Sequence, residues 1–175
     1  GNGGYAVITF NPAAIDINNS TVLGYGALYF KGPTSSLGSA GTEVNIANST
    51  IASVNSTPVH SSNSFSSIIF ETDDITVTAD ANSTLIAESV SNTQYIFGIG
   101  NSVYAPVKDI NVTVTGTLSC IGKGKSYILG RGAEQNTLDD ITIKVPVKYT
   151  NDLTQLGYIV SEADVNGLIT ITGIE

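Results

Sequence analysis

The sequence predicts an all-β protein that folds as a parallel β-solenoid, a stack of about six coils with three short strands each. Three observations predict this fold. Gly, Asn, Ser, Thr, Val and Ile dominate the 175-residue chain, and no window has sustained helical periodicity. Similar segments recur about every thirty residues, which indicates a repeat architecture. One strand of each repeat alternates strictly between apolar and polar residues, as a half-buried strand does.

The repeat is clearest in the second half of the chain. Residues 95–114 contain YIFGIG and then DINVTV, and residues 127–145 contain YILGRG and then DITIKV. When the remaining sequence is aligned on these two copies, six first strands are predicted. They begin at Ala6, Ala27, Ser67, Tyr95, Tyr127 and Tyr158. The two polar inserts at 33–42 and 55–66 are expected to be loops on one face of the stack.

The second strand of each repeat is predicted to send every other residue into the core. These inward residues are Ile15, Ile17, Val44, Ile46, Ile75, Val77, Ile110, Val112, Ile141, Ile143, Ile169 and Ile171. The outward residues between them are Asp16, Asn45, Thr76, Asn111, Thr142 and Thr170. In the third strand Val22, Ile51, Leu85 and Leu118 are expected inside, which makes Cys120 a core thiol. Each strand then pairs with its counterpart about 4.8 Å away on the next coil.

We expect residues 1–175 to form a single domain. An antiparallel jelly-roll sandwich is the alternative fold, with YAVITF near the start of the chain serving as a donated strand for a neighbouring subunit. Because the chain begins at GNGGY without Met, we expect that a leader has been removed or that the sequence is an excised piece.

Composition excludes several classes of function. The net charge is −8, from 15 acidic and 7 basic residues, and this disfavours a nucleic-acid partner. The single cysteine excludes an internal disulfide and a cysteine-clustered metal site. No apolar run approaches the length of a membrane span. Low charge, one thiol and abundant Ser, Thr and Asn favour an extracellular or cell-surface protein.

The first strand of the repeat is apolar on both sides. Tyr29, Ile69, Ile96, Ile128 and Ile159 fall on one side, and an aromatic strip falls on the other. This strip contains Tyr95, Tyr127, Tyr158, Phe30, Phe70 and Phe97. It predicts a surface that loops cover, that forms a subunit interface, or on which sugar rings stack.

An acidic column precedes the second strand. It consists of Glu43, Asp74, Asp109 and Asp140, which a solenoid would bring to the same turn on successive coils. Either each carboxylate accepts N–H bonds in its turn and is solvated, or neighbouring carboxylates share Ca²⁺. The first interpretation is favoured, and Ca²⁺ is the metal ion that the alternative would require.

Asn-x-Ser/Thr sequences occur at Asn19, Asn48, Asn55, Asn82 and Asn111 and permit N-glycosylation of a secreted protein. Three of them, at Asn19, Asn48 and Asn82, read Asn-Ser-Thr at the turn between second and third strands. Asn tolerates left-handed backbone geometry, and its amide can bond along a stack of like residues. A structural role is therefore the favoured interpretation of these three.

No catalytic residues are predicted. His60 is the only histidine, and it lies in a Ser/Asn-rich insert. Serines close to a histidine are common by chance in such a segment, so they do not predict a catalytic triad. The YIFGIG and YILGRG glycines are not followed by a helix, so they do not predict a phosphate-binding loop.

The segments DINVTVTGTLSCIG and DITVTADANSTLIA resemble coils of the right-handed parallel β-helix proteins, the architecture of pectate-lyase-like enzymes, phage tailspikes and many surface adhesins. The resemblance is one of architecture and covers nearly the whole chain. If the chain were a polysaccharide lyase, the resemblance would imply clustered Ca²⁺-binding acids with a basic residue on a neighbouring coil. The acidic column is the counterpart of the clustered acids in this sequence.

The favoured function is a non-catalytic structural or adhesive protein, a subunit of a self-assembling extracellular filament. Both end segments, 5–10 and 169–174, are apolar and neither contains a capping helix, so we expect other copies to pair with them, head to tail or laterally. A carbohydrate-binding β-helix module with a polysaccharide partner is the alternative, followed by a polysaccharide lyase.

Overall fold

A computed structural model describes residues 7–9, 14–24, 26–31, 41–54, 65–89, 94–99, 107–122, 124–131, 138–157 and 169–175. Within this part of the chain there are sixteen strands and one helix, numbered here in chain order. All strand pairs in it are parallel and join strands of successive repeats. The protein is therefore a parallel β-solenoid, and the antiparallel sandwich is wrong.

Three parallel sheets form the sides of the solenoid, and each sheet collects one strand from successive coils. Sheet A contains β1 (Val7–Thr9), β4 (Leu28–Phe30), β7 (Phe65–Phe70), β10 (Gln94–Ile99), β13 (Ser126–Arg131) and β15 (Thr154–Leu156). Sheet B contains β2 (Ala14–Asn18), β5 (Thr42–Ala47), β8 (Ile75–Ala79), β11 (Val107–Val114), β14 (Leu138–Pro146) and β16 (Ile169–Ile174). Sheet C contains β3 (Thr21–Gly24), β6 (Thr50–Ser53), β9 (Thr84–Ser89) and β12 (Thr117–Gly122).

The prediction of six three-stranded coils is correct for four of them. In the described residues, coils five and six add strands to sheets A and B only. The fifth coil has a short helix, α1 (Val147–Asp152), where the earlier coils have their third strand. Pro146 precedes it at φ −53° and ψ 135°, and Tyr149 buries its side chain, which anchors the helix. The sequence analysis found no helical periodicity and did not predict this short helix, while the end segment 169–174 forms strand β16 as its apolar alternation indicates.

The core lies between the three sheets and matches the predicted alternation. The inward Ile and Val residues of β5, β8, β11 and β14 are buried, and so are Ile51, Leu85 and Leu118 of sheet C. In the first and last coils Ile15, Ile169 and Ile171 are only partly buried, because a residue in an end coil has a covering neighbour on one side only.

The last strand of sheet A differs from the prediction. The strand paired with β13 is β15, with Tyr127 opposite Thr154 and Leu129 opposite Leu156. The position one coil beyond Tyr127 therefore belongs to Thr154 and not to Tyr158, which lies outside the described residues. No helix in the described part of the chain is long and apolar enough to cross a membrane.

Candidate functional site

The aromatic strip divides into a buried part and a surface part. Phe30, Phe70 and Phe97 belong to the hydrophobic core and are at most 2% exposed. Their rings stack along the coils, with centroid distances of 5.9 Å between Phe30 and Phe70 and 6.3 Å between Phe70 and Phe97. The prediction that the phenylalanines share an outward strip with the tyrosines is therefore wrong. Burial of these large apolar rings stabilises the core.

Tyr95 and Tyr127 lie outside the core cluster. Their rings stack with a centroid distance of 5.4 Å. Glycines leave room for them: a Cβ atom on Gly130 would overlap the Tyr95 ring, and one on Gly157 would lie 2.7 Å from Cγ of Tyr127. Tyr95 is only 4% exposed, whereas Tyr127 is half-buried, so of these two rings Tyr127 is the one that offers surface to a partner.

The register of sheet A agrees with the sequence alignment in one strand pair and departs from it in another. Between β10 and β13, Tyr95 lies opposite Tyr127 and Gly98 lies opposite Gly130, as the repeat predicts. Between β7 and β10, Ile69 pairs with Gly98, and not with Ile96 as the sequence alignment predicted.

The acidic column contains three of the four predicted residues. Asp74, Asp109 and Asp140 each precede a core isoleucine of sheet B and have positive φ angles of 55°, 53° and 46°. The fourth position on this turn is Gly41, with φ 50°, because Thr42 pairs with Ile75. Glu43 pairs with Thr76 on the exposed face of the strand, so its assignment to the column is wrong.

The contacts of these aspartates are made with the backbone and with one lysine. An Oδ2 atom of Asp74 accepts a 2.6 Å hydrogen bond from the backbone N–H of Gly41 on the preceding coil. Lys108 Nζ lies 3.4 Å from Asp109 Oδ2, and this hydrogen bond raises the pKa of Lys108 above its ordinary value. Within the described residues no group of three or more His, Cys, Asp or Glu side chains could hold a metal ion. The contact of Asp74 is the one that the first interpretation of the column predicts, since this acid accepts a backbone N–H bond, whereas Asp109 contacts Lys108.

The turn between sheets B and C carries a ladder of polar side chains. Asn19 and Asn48 have φ angles of 49° and 47°, and Asn48 Nδ2 donates a 2.7 Å hydrogen bond to Asn19 Oδ1. Ser49 Oγ is buried and accepts a bond from the N–H of Ser20, while Ser83 Oγ accepts one from the N–H of Ser49. The predicted stack of like residues is confirmed for Asn19 and Asn48.

The third and fourth coils close this turn differently. Asp80 accepts hydrogen bonds from the Ser83 hydroxyl at 2.6 Å and from the N–H of Asn48 at 3.1 Å. The Ser83 hydrogen bond lowers the pKa of Asp80 below its ordinary value. In the fourth coil a Cβ atom on Gly116 would overlap the Ser83 carbonyl oxygen, so only glycine fits there.

The predicted glycosylation sites differ in accessibility. Asn82 and Asn111 are exposed, and neither side chain makes a hydrogen bond within the described part of the chain. The side-chain nitrogen of Asn48 is used in the ladder. Asn55 and His60 lie outside the described residues. Asn19 is exposed too, and the ladder uses only its side-chain oxygen. Modification therefore remains a prediction, with Asn19, Asn82 and Asn111 as the available acceptors.

Burial shifts the pKa values of two further groups among the described residues, Glu71 and Cys120. Glu71, directly after β7, is 7% exposed, and its Oε2 atom is buried without a hydrogen-bond partner among the described residues. Burial raises the pKa of Glu71 to about 7. Sequence reasoning missed this residue, and the signal that could have found it is a carboxylate at the end of an apolar strand. Burial also raises the pKa of Cys120 to about 11, which agrees with the predicted core thiol.

Comparison of the chain with models of known protein families, with curated proteins and with solved structures found no match.

Proposed function

We propose that the protein is a non-catalytic, extracellular structural subunit that assembles end to end into a filament. The observation that carries the proposal is the state of the terminal strands. Sheet B ends in β2 and β16, and sheet C ends in β3 and β12, and each of these strands pairs on one side only within the described residues. The free edge of a strand is a template for pairing with another chain.

Exposed apolar side chains on these edge strands support the same proposal. Leu23 on β3 is 56% exposed, Ile121 on β12 is 48% exposed and Leu156 on β15 is 39% exposed. Leu156 lies opposite the buried core residue Leu129, so its side chain belongs to the inward row of sheet A. Pairing with a second copy would remove Leu156 from water and extend sheets A and B in parallel.

The inward rows of sheet B are compatible with such a joint. The two terminal strands of sheet B, β2 and β16, both have isoleucine at two alternate positions. These are Ile15 and Ile17 in β2 and Ile169 and Ile171 in β16. A parallel contact between β16 of one copy and β2 of the next would continue the core without burying a charge.

The test is electron microscopy and analytical ultracentrifugation of the purified chain, with charges placed on the proposed joint. Filaments are expected from the unchanged protein, and Leu156→Lys should leave a monomer, because this residue lies opposite the core residue Leu129 and the lysine places a charge in the joint. Val54→Lys is the matched control, since Val54 is 42% exposed but lies after β6 in an interior coil. A monomer at all concentrations of the unchanged chain would reject the proposal.

The carbohydrate-binding alternative depends on Tyr127, because Tyr95 is almost fully buried. If Tyr127→Ala abolishes retention on a glycan array and filaments are absent, this alternative replaces the filament. A polysaccharide lyase would need several carboxylates around Ca²⁺, and the described residues contain no such group. Formation of unsaturated products from uronate polymers would favour that enzyme.

A further inference from the structure

The outer face of sheet B carries an ordered array of short polar side chains. From β8 to β16 each strand has a pair of outward residues at its centre, which lie two positions apart. The uncharged members of this set are exposed or half-exposed. They are Thr76, Thr78, Asn111, Thr113, Thr142, Thr170 and Thr172.

Strand pairing arranges the array as two rows. The first row runs Thr76, Asn111, Thr142, Thr170, and the second runs Thr78, Thr113, Lys144, Thr172. Neighbours in a row are about 4.8 Å apart, the distance between paired strands, and the two rows are roughly 6.6 Å apart, the rise of two residues. The backbone thus fixes a lattice of hydroxyl and amide groups, with Lys144 at one of its eight positions.

These groups are not used inside the protein. No hydrogen bond joins any of the seven side chains to another group in the described part of the chain. At the turn between sheets B and C, by contrast, Asn19, Asn48, Ser49 and Ser83 all bond to the next coil or to their own turn. Since the χ1 angle of threonine is restricted, the threonine hydroxyls of the face are held in place while remaining available to solvent or a ligand.

The chemistry of the array selects the kind of partner. It has no aromatic ring on which a sugar could stack. Lys144 is the only charge among the eight positions of the two rows. The same sheet carries exposed acids around them: Asp109 and Asp140 precede the rows on β11 and β14, and the rows continue into Glu43 on β5 and Asp16 on β2. The seven uncharged positions complement an uncharged partner, and a lattice of donors and acceptors complements a partner with its own hydrogen-bonded lattice.

We propose that this face binds ice. Both spacings are close to oxygen repeats on the surface planes of hexagonal ice, and water held by the hydroxyl and amide rows would join the two lattices. Lys144 is the one departure from the pattern, because its long charged side chain interrupts the second row. The proposal concerns sheet B only and is independent of assembly through the ends of the solenoid.

The experiment measures thermal hysteresis and ice-crystal shape in solutions of the full chain. Thr113→Lys should abolish both effects, and Lys144→Thr should increase thermal hysteresis by completing the row. Thr117→Lys is the matched control, because Thr117 is an exposed threonine on sheet C, and it should leave the activity unchanged. Thermal melts establish that the variants are folded, and Thr78→Lys replaces Thr113→Lys if the latter is not.

Three results would overturn the proposal. The unchanged chain could leave ice growth unaffected, Thr117→Lys could lower the activity as much as Thr113→Lys does, or the chain could bind insoluble cellulose or chitin through this face without affecting ice.

Discussion

The side-chain amide of Asn48 donates a 2.7 Å hydrogen bond to the side-chain oxygen of Asn19, its counterpart on the preceding coil. Both residues have left-handed backbone angles, which Asn tolerates better than most residues. The same side chain therefore satisfies the local turn and connects two coils. This arrangement explains why Asn recurs at this position of the repeat.

Replacing Asn48 by Ala should lower the free energy of unfolding by about 2 kcal/mol, from a lost hydrogen bond and from left-handed strain of about 1 kcal/mol each. Asn48→Gly should lower it less, because glycine adopts this geometry without strain. Urea unfolding of both variants measures the difference. Equal losses for Ala and Gly would show that the backbone angle contributes nothing.

Glu71 should make stability depend on pH. Its folded-state pKa of about 7 lies above the unfolded value of 4.5, so the folded chain binds more protons between these values. The contribution of Glu71 to the free energy of unfolding is therefore greatest below about pH 4.5. It falls as the pH rises through 7, by at most roughly 3 kcal/mol. Glu71→Gln should raise the free energy of unfolding at pH 8 and flatten the profile between pH 5 and pH 8. An unchanged profile in the variant would assign the pH dependence to other groups.

Gly130→Ala should destabilise the protein by about 1–3 kcal/mol, because the new methyl group overlaps the Tyr95 ring. Tyr95→Ala removes the ring, so the double variant should lose less stability than the sum of the two single variants. Thermal or urea unfolding of the four proteins gives the coupling energy. Gly116→Ala is the contrasting variant, since backbone carbonyl oxygens of Ser83 and Asp80 oppose its methyl group and no side-chain deletion can relieve the overlap. Additive losses for Gly130→Ala and Tyr95→Ala would contradict the predicted contact.

Cys120 should react slowly in the folded protein. With its pKa raised to about 11, only a very small fraction of the thiol is ionised at pH 8, and the thiolate is the reactive form. Alkylation by iodoacetamide at pH 8 should therefore be much slower than in urea-unfolded chain, where the pKa returns to its ordinary value. Equal rates in both states would mean that the thiol is neither buried nor perturbed.

The inward positions could be predicted from the sequence because they depend on a local property. In a strand with one buried face, every second residue is apolar and points into the core. The inward residues can therefore be recognised from this alternation, as for Ile75, Val77, Ile110 and Val112. The turn residues Asn19 and Asn48 could be predicted for a similar reason, since left-handed geometry restricts the choice of residue.

Register could not be predicted in the same way. A shift by two residues preserves the alternation of apolar and polar residues, so the pattern is equally satisfied in either register. This is why Glu43 was assigned to the acidic column although Gly41 occupies it, and why Ile69 was matched to Ile96 although it pairs with Gly98. The length of each turn, which decides the register, depends on contacts between coils.

The sequence by itself determined that the chain forms a parallel stack of repeats. The repeat period, the alternation of apolar and polar residues and the choice of turn residues can all be recognised in short segments of the chain. Only the tertiary structure decided which aromatic rings are buried, where the helix α1 ends sheet C, and that Oε2 of Glu71 is buried. These properties depend on what lies across the core or on the next coil. The same holds for the outer face of sheet B, where threonines distant in the chain form two rows only because the coils stack in register.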